Sequence, residues 1–223
     1  MAHVVFVHGA WVGPDSWDRV APLVQRAGHT TEAVTLPLTG LADDAAVARK
    51  AVEKALGDDV VLVGHSYGGT VITAAGADQP RVRRLVYVAA VGNTADESAN
   101  DLVGLFPPTP AGPYIQVDEQ SRMTIQPDKF GEVFAQDVDP AITAELGHRQ
   151  NPTHTDCFAD KLPGTPAWRT VPSIFLVSTA DRVVSPLLQA YEAGRMGATV
   201  ITLDASHASP LSQPQAIADA ITT

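Results

Sequence analysis

The chain has a single cysteine, Cys157, among 223 residues, so no internal disulfide can form. Its neighbours His154-Thr155-Asp156-Cys157-Phe158 also lack the repeated Cys/His spacing of a structural zinc site. Cys157 therefore reads as a small packing residue. Basic residues are scarce: 15 Lys and Arg stand against 25 Asp and Glu, a formal charge of -10, with no dense Lys/Arg run to offset it locally. Such a surface repels polyanions, and nucleic acid is excluded as a partner. No apolar run approaches the roughly 20 residues needed to span a bilayer. Nor does a basic segment, an apolar stretch and a small-residue cleavage site precede the first strand-like run. A soluble, cytoplasmic protein with no membrane partner is the expectation. Aromatic residues are few, at 6%, yet 45% of the chain is hydrophobic and only 18% charged, a balance that permits a core and argues against disorder.

What is present is alternation. Short runs rich in Val, Ile and Leu recur at Val4 to Val7, Thr30 to Leu36, Val60 to Val63, Leu85 to Ala89, Ser173 to Ser178 and Thr199 to Leu203. They read as strands buried on both faces. Between them, apolar spacing near three and four predicts helices over Ser16 to Ala27, Asp43 to Leu56, Tyr67 to Ala77 and Pro186 to Met196, with a last one over Gln213 to Ile221. Gly28 and Gly57 are placed as helix C-caps, Ser185-Pro186 as an N-cap with proline behind it, and Ser212 as the cap of the last helix. A doubly wound, mainly parallel six-stranded α/β sheet follows, in one domain over 1–223. The alternation lapses between about Gly92 and Arg169. Prolines cluster there at Pro107, Pro108, Pro110 and Pro113, and only short helices are suggested, at Lys129 to Ala135 and Pro140 to His148. This stretch reads as a small, mostly helical cap of about 92–169 inserted after the fourth strand, the core being about 1–91 and 170–223.

The strand Val60 to Val63 runs into Gly64-His65-Ser66-Tyr67-Gly68 and then a helix, the context that a Gly-x-Ser-x-Gly nucleophile motif requires. The strained turn needs small residues two before and two after the serine, and Gly64 and Gly68 supply them. A serine hydroxyl must lose its proton to a histidine, itself oriented by a carboxylate. His8 and His65 sit inside motifs beside the serine, His3 and His29 lie near strand starts, and His148 and His154 fall in the insertion. Only His207, in Ala205-Ser206-His207-Ala208-Ser209-Pro210, follows the last strand, where the chain order nucleophile, acid, base puts the base. Asp181, just past the strand Ser173 to Ser178, is the matching acid; its competitor Asp204 lies only three residues before His207. The oxyanion that forms needs backbone N–H donors. Tyr67, after the nucleophile, offers one. The loop His8-Gly9-Ala10-Trp11 offers the other, with Ala10 preferred and Trp11 second.

The oxyanion loop, the serine turn and the Thr-Ala-Asp-Arg segment around Asp181, with the tail Ser-His-Ala-Ser-Pro-Leu-Ser-Gln-Pro, resemble the small α/β-hydrolases, and within them the group of plant methyl esterases, salicylate-binding esterases and hydroxynitrile lyases, with its bacterial esterase-like members. The resemblance covers both ends of the chain well and the insertion poorly. It implies an α/β-hydrolase fold whose six-stranded sheet lacks the family's first two strands. It also implies Ser66, Asp181 and His207 as the catalytic triad, Ala10 and Tyr67 as oxyanion donors, and no metal or organic cofactor. The lyases generally carry threonine where this chain has Gly9 and lysine where it has Ala208, so hydrolysis of a small carboxylic ester through an acyl-enzyme is favoured. Lactone or C–C bond hydrolysis, cyanohydrin cleavage and a triad-bearing small-molecule receptor remain the alternatives. In proteins of this kind the insertion covers the nucleophile, which would bring Phe106, Tyr114, Phe130, Phe134, Phe158 and Trp168, with Trp11 from the oxyanion loop, to the substrate pocket. A small-molecule ester is the partner expected, and a homodimer is compatible with the sequence.

Overall fold

The computed structural model describes all 223 residues. Six parallel strands form one sheet: β1 (His3–Val7), β2 (Thr30–Val34), β3 (Val60–His65) and β4 (Val82–Val88), joined after a long excursion by β8 (Ser173–Ser178) and β9 (Thr199–Leu203), in the order β2-β1-β3-β4-β8-β9. Alternate residues of each strand face opposite sides. Val5, Val7, Leu62, Leu85, Tyr87 and Phe175 enter the core beneath α2 (Leu41–Lys54) and α3 (Tyr67–Ala75). Val4, Phe6, Val63, Val86 and Leu176 enter the core shared with α1 (Ala21–Arg26) and α10 (Pro214–Thr222). Two buried faces explain why the central strands read as unbroken apolar runs.

The margins differ from that reading. β2 is largely exposed or half-buried, and in β9 Val200 is 51% exposed, because the flanking helices cover the middle of the sheet and leave its edges open. Helix boundaries also shift. The segment expected as one helix over Ser16 to Ala27 is a short 3-10 turn, Pro14–Trp17, followed by α1. Trp17 is fully buried and stacks on Phe6 at 4.8 Å, which anchors that turn to the sheet. Gly28 follows the C-cap of α1 with φ +90°, as expected, but Gly57 lies in the turn beyond α2, whose C-cap is Ala55. The N-cap of α10 is Gln213; Ser212 instead ends the one-turn helix α9 (Ser209–Ser212). The helix α8 (Pro186–Met196) begins as anticipated, with Ser185 Oγ accepting from Leu187 N–H.

Residues 92–169 leave the sheet between β4 and β8 and lie over its carboxyl edge. They hold α4 (Ala99–Val103), α5 (Pro127–Phe134), α6 (Pro140–His148) and α7 (Asp156–Ala159), together with an antiparallel sheet of β5 (Ile115–Val117), β6 (Arg122–Ile125) and β7 (Thr153–His154). The helices dominate. The little sheet escapes a reading by periodicity because strands of two to four residues are too short to alternate.

Candidate active site

Parallel register sets the site. Val7 of β1 pairs with Gly64 of β3, so the loop His8-Gly9-Ala10 and the turn at Ser66 leave the sheet side by side. Likewise Ser178 of β8 pairs with Leu203 of β9, which brings the Asp181 and His207 loops together. Ser66 has φ +55° and ψ -125°, a backbone state that costs a non-glycine residue about 1–3 kcal/mol. The surroundings hold it there: Ser66 N–H donates to Val88 at 3.1 Å, and its carbonyl accepts from Gly69 and Val91 at 2.9 and 3.3 Å. A Cβ on Gly68 would sit 2.4 Å from the Val7 carbonyl oxygen, so only glycine lets α3 start this close to β1.

Asp181 and His207 are buried, and His207 Nδ1–H donates to Asp181 Oδ2 at 2.7 Å. The carboxylate is held from every side. Oδ1 accepts from Val183 and Val184 N–H, and Oδ2 also accepts from the side-chain amide of Gln189 at 2.8 Å. Gln189 is buried in α8 and ties that carboxylate to Ser178 N–H and the Val184 carbonyl. With Nδ1 committed, the lone pair of neutral His207 lies on Nε2, which is buried without a hydrogen-bond partner. Asp204 is exposed and has no part in this arrangement. His65 donates from Nε2 to the His207 carbonyl at 2.8 Å, and burial, then the neighbouring His207, hold its pKa well below the usual value. It is therefore a neutral strut between the Ser66 turn and the His207 loop.

On the other flank, His8 Nδ1–H donates to the Gly9 carbonyl at 2.8 Å while its Nε2 accepts from Leu36 N–H; burial lowers its pKa, consistent with a neutral ring. Pinning the Gly9 carbonyl turns the N–H of the same trans peptide, that of Ala10, the opposite way. Ala10 N–H and Tyr67 N–H donate to no protein acceptor. Trp11 N–H is occupied by Thr153 Oγ1 at 3.1 Å, which separates the two candidates from this loop in favour of Ala10. Gly9 leaves room for this approach, since a Cβ there would fall 2.7 Å from Ser66 Cβ. Tyr67 is steadied from outside by its hydroxyl, which donates to the buried Asp44 at 2.8 Å; Asp44 also accepts from Leu38 N–H and weakly from the Cys157 thiol.

A model described as the alpha/beta hydrolase family matches residues 4–220 of this sequence. The chain belongs to that family. It is similar to a probable hydrolase R7 of Phoma sp., 31% identical over 208 residues that cover 88% of this chain and 83% of the relative. It is also similar to salicylic acid-binding protein 2 of Nicotiana tabacum, 26% identical across 96% and 93% of the two chains. Among solved structures, a pyrethroid hydrolase from Sphingobium faniae superposes with a TM-score of 0.83 at 22% identity, over 99% of this chain and 96% of that one.

In this hydrolase the cap aromatics divide. Phe134 stands edge-on to His207 with ring centres 4.8 Å apart, Trp11 lies 6.4 Å from Phe134 and 6.2 Å from Phe158, and Phe158 leans on Tyr67. These three form a wall at the site, with Phe130 stacked behind Phe134. The other three expected pocket residues have different partners. Phe106 packs on Tyr191, Tyr114 carries the Lys129 ammonium over its ring, and Trp168 donates to the Asn93 carbonyl and stacks under Arg169. Packing against neighbouring rings and cations, half-buried for Phe106 and Tyr114 and buried for Trp168, takes them away from the site. A cavity of about 450 Å³ adjoins the wall through Trp11, Phe134, His65 and Ala208; Ser66, only 5% exposed, is not on its lining.

Sequence reasoning missed Gln189, Asp44 and Thr153. A signal existed for the first two, polar residues at the apolar spacing of an amphipathic helix: Asp44 falls between Leu41, Ala45 and Ala48, and Gln189 beside Leu188 and Ala193. Thr153 gave none.

Proposed function

We propose that this protein hydrolyses a small, neutral carboxylic ester through an acyl-enzyme on Ser66. The observation that carries the reading is the buried pair of Asp181 and His207, 2.7 Å apart, which leaves Nε2 unpartnered on a loop that the His65 side chain ties to the strained turn bearing Ser66. His207 takes the serine proton as Ser66 attacks the carbonyl carbon, and the N–H groups of Ala10 and Tyr67 receive the negative charge that forms on oxygen. The tetrahedral adduct collapses, His207 returns the proton to the leaving alcohol, and a water activated by the same ring releases the acid. The Asp181 carboxylate orients the ring and stabilises the imidazolium.

The aromatic wall of Trp11, Phe134 and Phe158 suits an apolar acyl or alcohol group. No cation follows His207, whose neighbour Ala208 is buried, so a departing cyanide would lack a charged partner and hydrolysis is favoured over cyanohydrin cleavage. Hydrolysis by the similar pyrethroid hydrolase supports the same reading.

The decisive experiment is labelling with a fluorophosphonate probe followed by peptide mass spectrometry, alongside steady-state assays on short aryl and alkyl esters. Ser66 is expected to carry the label, and Ser66→Ala or His207→Ala to lower kcat by about 10⁴-fold or more. Turnover surviving in Ser66→Ala would refute the reading.

A further inference from the structure

We propose that Thr153, in the cap strand β7, positions the oxyanion loop, and that the cap thereby decides which N–H meets the substrate's developing charge. This rests on the ester-hydrolase reading. Trp11 follows Ala10 and has φ +67°, in the left-handed region that a tryptophan rarely adopts. All three polar groups of Trp11 are held by the cap and none by the core: its N–H donates to Thr153 Oγ1 at 3.1 Å, its carbonyl accepts from Asn151 N–H at 2.8 Å, and its indole N–H donates to the Met123 carbonyl at 3.0 Å. Met123 and Thr153 face each other across β6 and β7, so one small sheet grips Trp11 from two strands.

Thr153 is fully buried, and its hydroxyl is engaged both ways, accepting from Trp11 N–H while donating to the Asn151 carbonyl at 3.2 Å. With that acceptor present, Trp11 N–H is withdrawn and the N–H of Ala10 is presented. Without it, a buried N–H with no partner pulls the loop toward a relaxed backbone, and the hole loses its geometry. The same strand reaches the other donor: His154 N–H donates to the Leu38 carbonyl, Leu38 N–H donates to Asp44, and Asp44 accepts from the Tyr67 hydroxyl. Thr153 is thus a positioning residue that acts through Trp11 on Ala10.

The test uses the full chain, para-nitrophenyl acetate as substrate and an aryl trifluoromethyl ketone as an analogue that forms an oxyanion on Ser66. Thr153→Val preserves shape and removes the acceptor; kcat is expected to fall about 10- to 100-fold, with KM changed by no more than about threefold. Ketone affinity should fall in step with kcat/KM while affinity for the product acid holds, and Thr153→Ser should recover most of the rate. A folded Thr153→Val protein with unaltered kcat would overturn the proposal, as would equal losses of ketone and acid affinity, the mark of a generally disordered site. If the valine variant does not fold, Thr153→Ala assayed in the cold reads the same ratio. Failure of the ester-hydrolase reading shows separately, as a wild-type protein that neither turns over esters nor takes a fluorophosphonate, and it removes the proposal with it.

Discussion

Gln189 is the residue whose loss most directly exposes the logic of the site. Its amide bridges Asp181, Ser178 N–H and the Val184 carbonyl inside the protein, so it aims the carboxylate at His207 and satisfies backbone groups that water cannot reach. Gln189→Leu leaves Ser178 N–H and the Val184 carbonyl without their side-chain partner, at about 1–3 kcal/mol of stability, and removes one donor from Asp181 Oδ2 while Val183 and Val184 still hold Oδ1. The expected outcome is a kcat lower by about tenfold or more, with an altered pH–rate profile, measured beside the denaturation midpoint. A variant that lost stability but kept its kcat and profile would reduce Gln189 to a packing role. At this scale the placement of the candidate residues was legible from chain punctuation: Ser66, Asp181, His207, Ala10 and Tyr67 all stand just past strand ends. Gln189 and Thr153 were not, because each is defined by partners that only folding brings near.

At the scale of elements, the crossing of β1 and α3 is among the tightest backbone contacts in the fold. Gly68→Ala would drive a methyl group into the Val7 carbonyl, 2.4 Å away, and backbone cannot yield as a side chain can. A destabilisation of about 3 kcal/mol or more, near 10 °C in Tm, is expected by calorimetry, together with loss of activity; a Tm within a degree or two of wild type would contradict the packing described. All six strands of the main sheet were legible, since apolar runs between turn residues have few other destinations. So was α8, whose serine cap and proline mark its start. Exposure at β2 and β9 was not, because composition alone does not tell an edge from a centre. The cap sheet hid for a different reason: its strands are too brief for pattern, and tertiary pairing makes them.

At the scale of the whole molecule, the joint between cap and core is electrostatic as well as apolar. Glu192 of α8 is buried, accepts from Gly92 N–H where the cap begins, and pairs with Arg195 at 2.9 Å; Arg195 also reaches Glu97 and the Gly92 carbonyl. Burial pushes the Glu192 pKa up to about 7, against the opposing pull of Arg195. A raised carboxylate means that, between its ordinary value of 4.5 and about 7, the folded chain holds a proton the unfolded chain has released. Stability from this group therefore falls as pH rises through that window. Glu192→Gln should lack the fall, so that denaturation measured at pH 5 and pH 8 shows the wild type losing about 2 kcal/mol relative to the variant. Parallel profiles would refute the assignment.

The bonds that fix Trp11 join residues between 112 and 142 positions apart along the chain. A molecule with its six strands paired and its cap unseated would lack the partners that hold Trp11 and, with them, a set oxyanion loop. Ester turnover therefore reports on the seating of the cap as well as on the pairing of the strands.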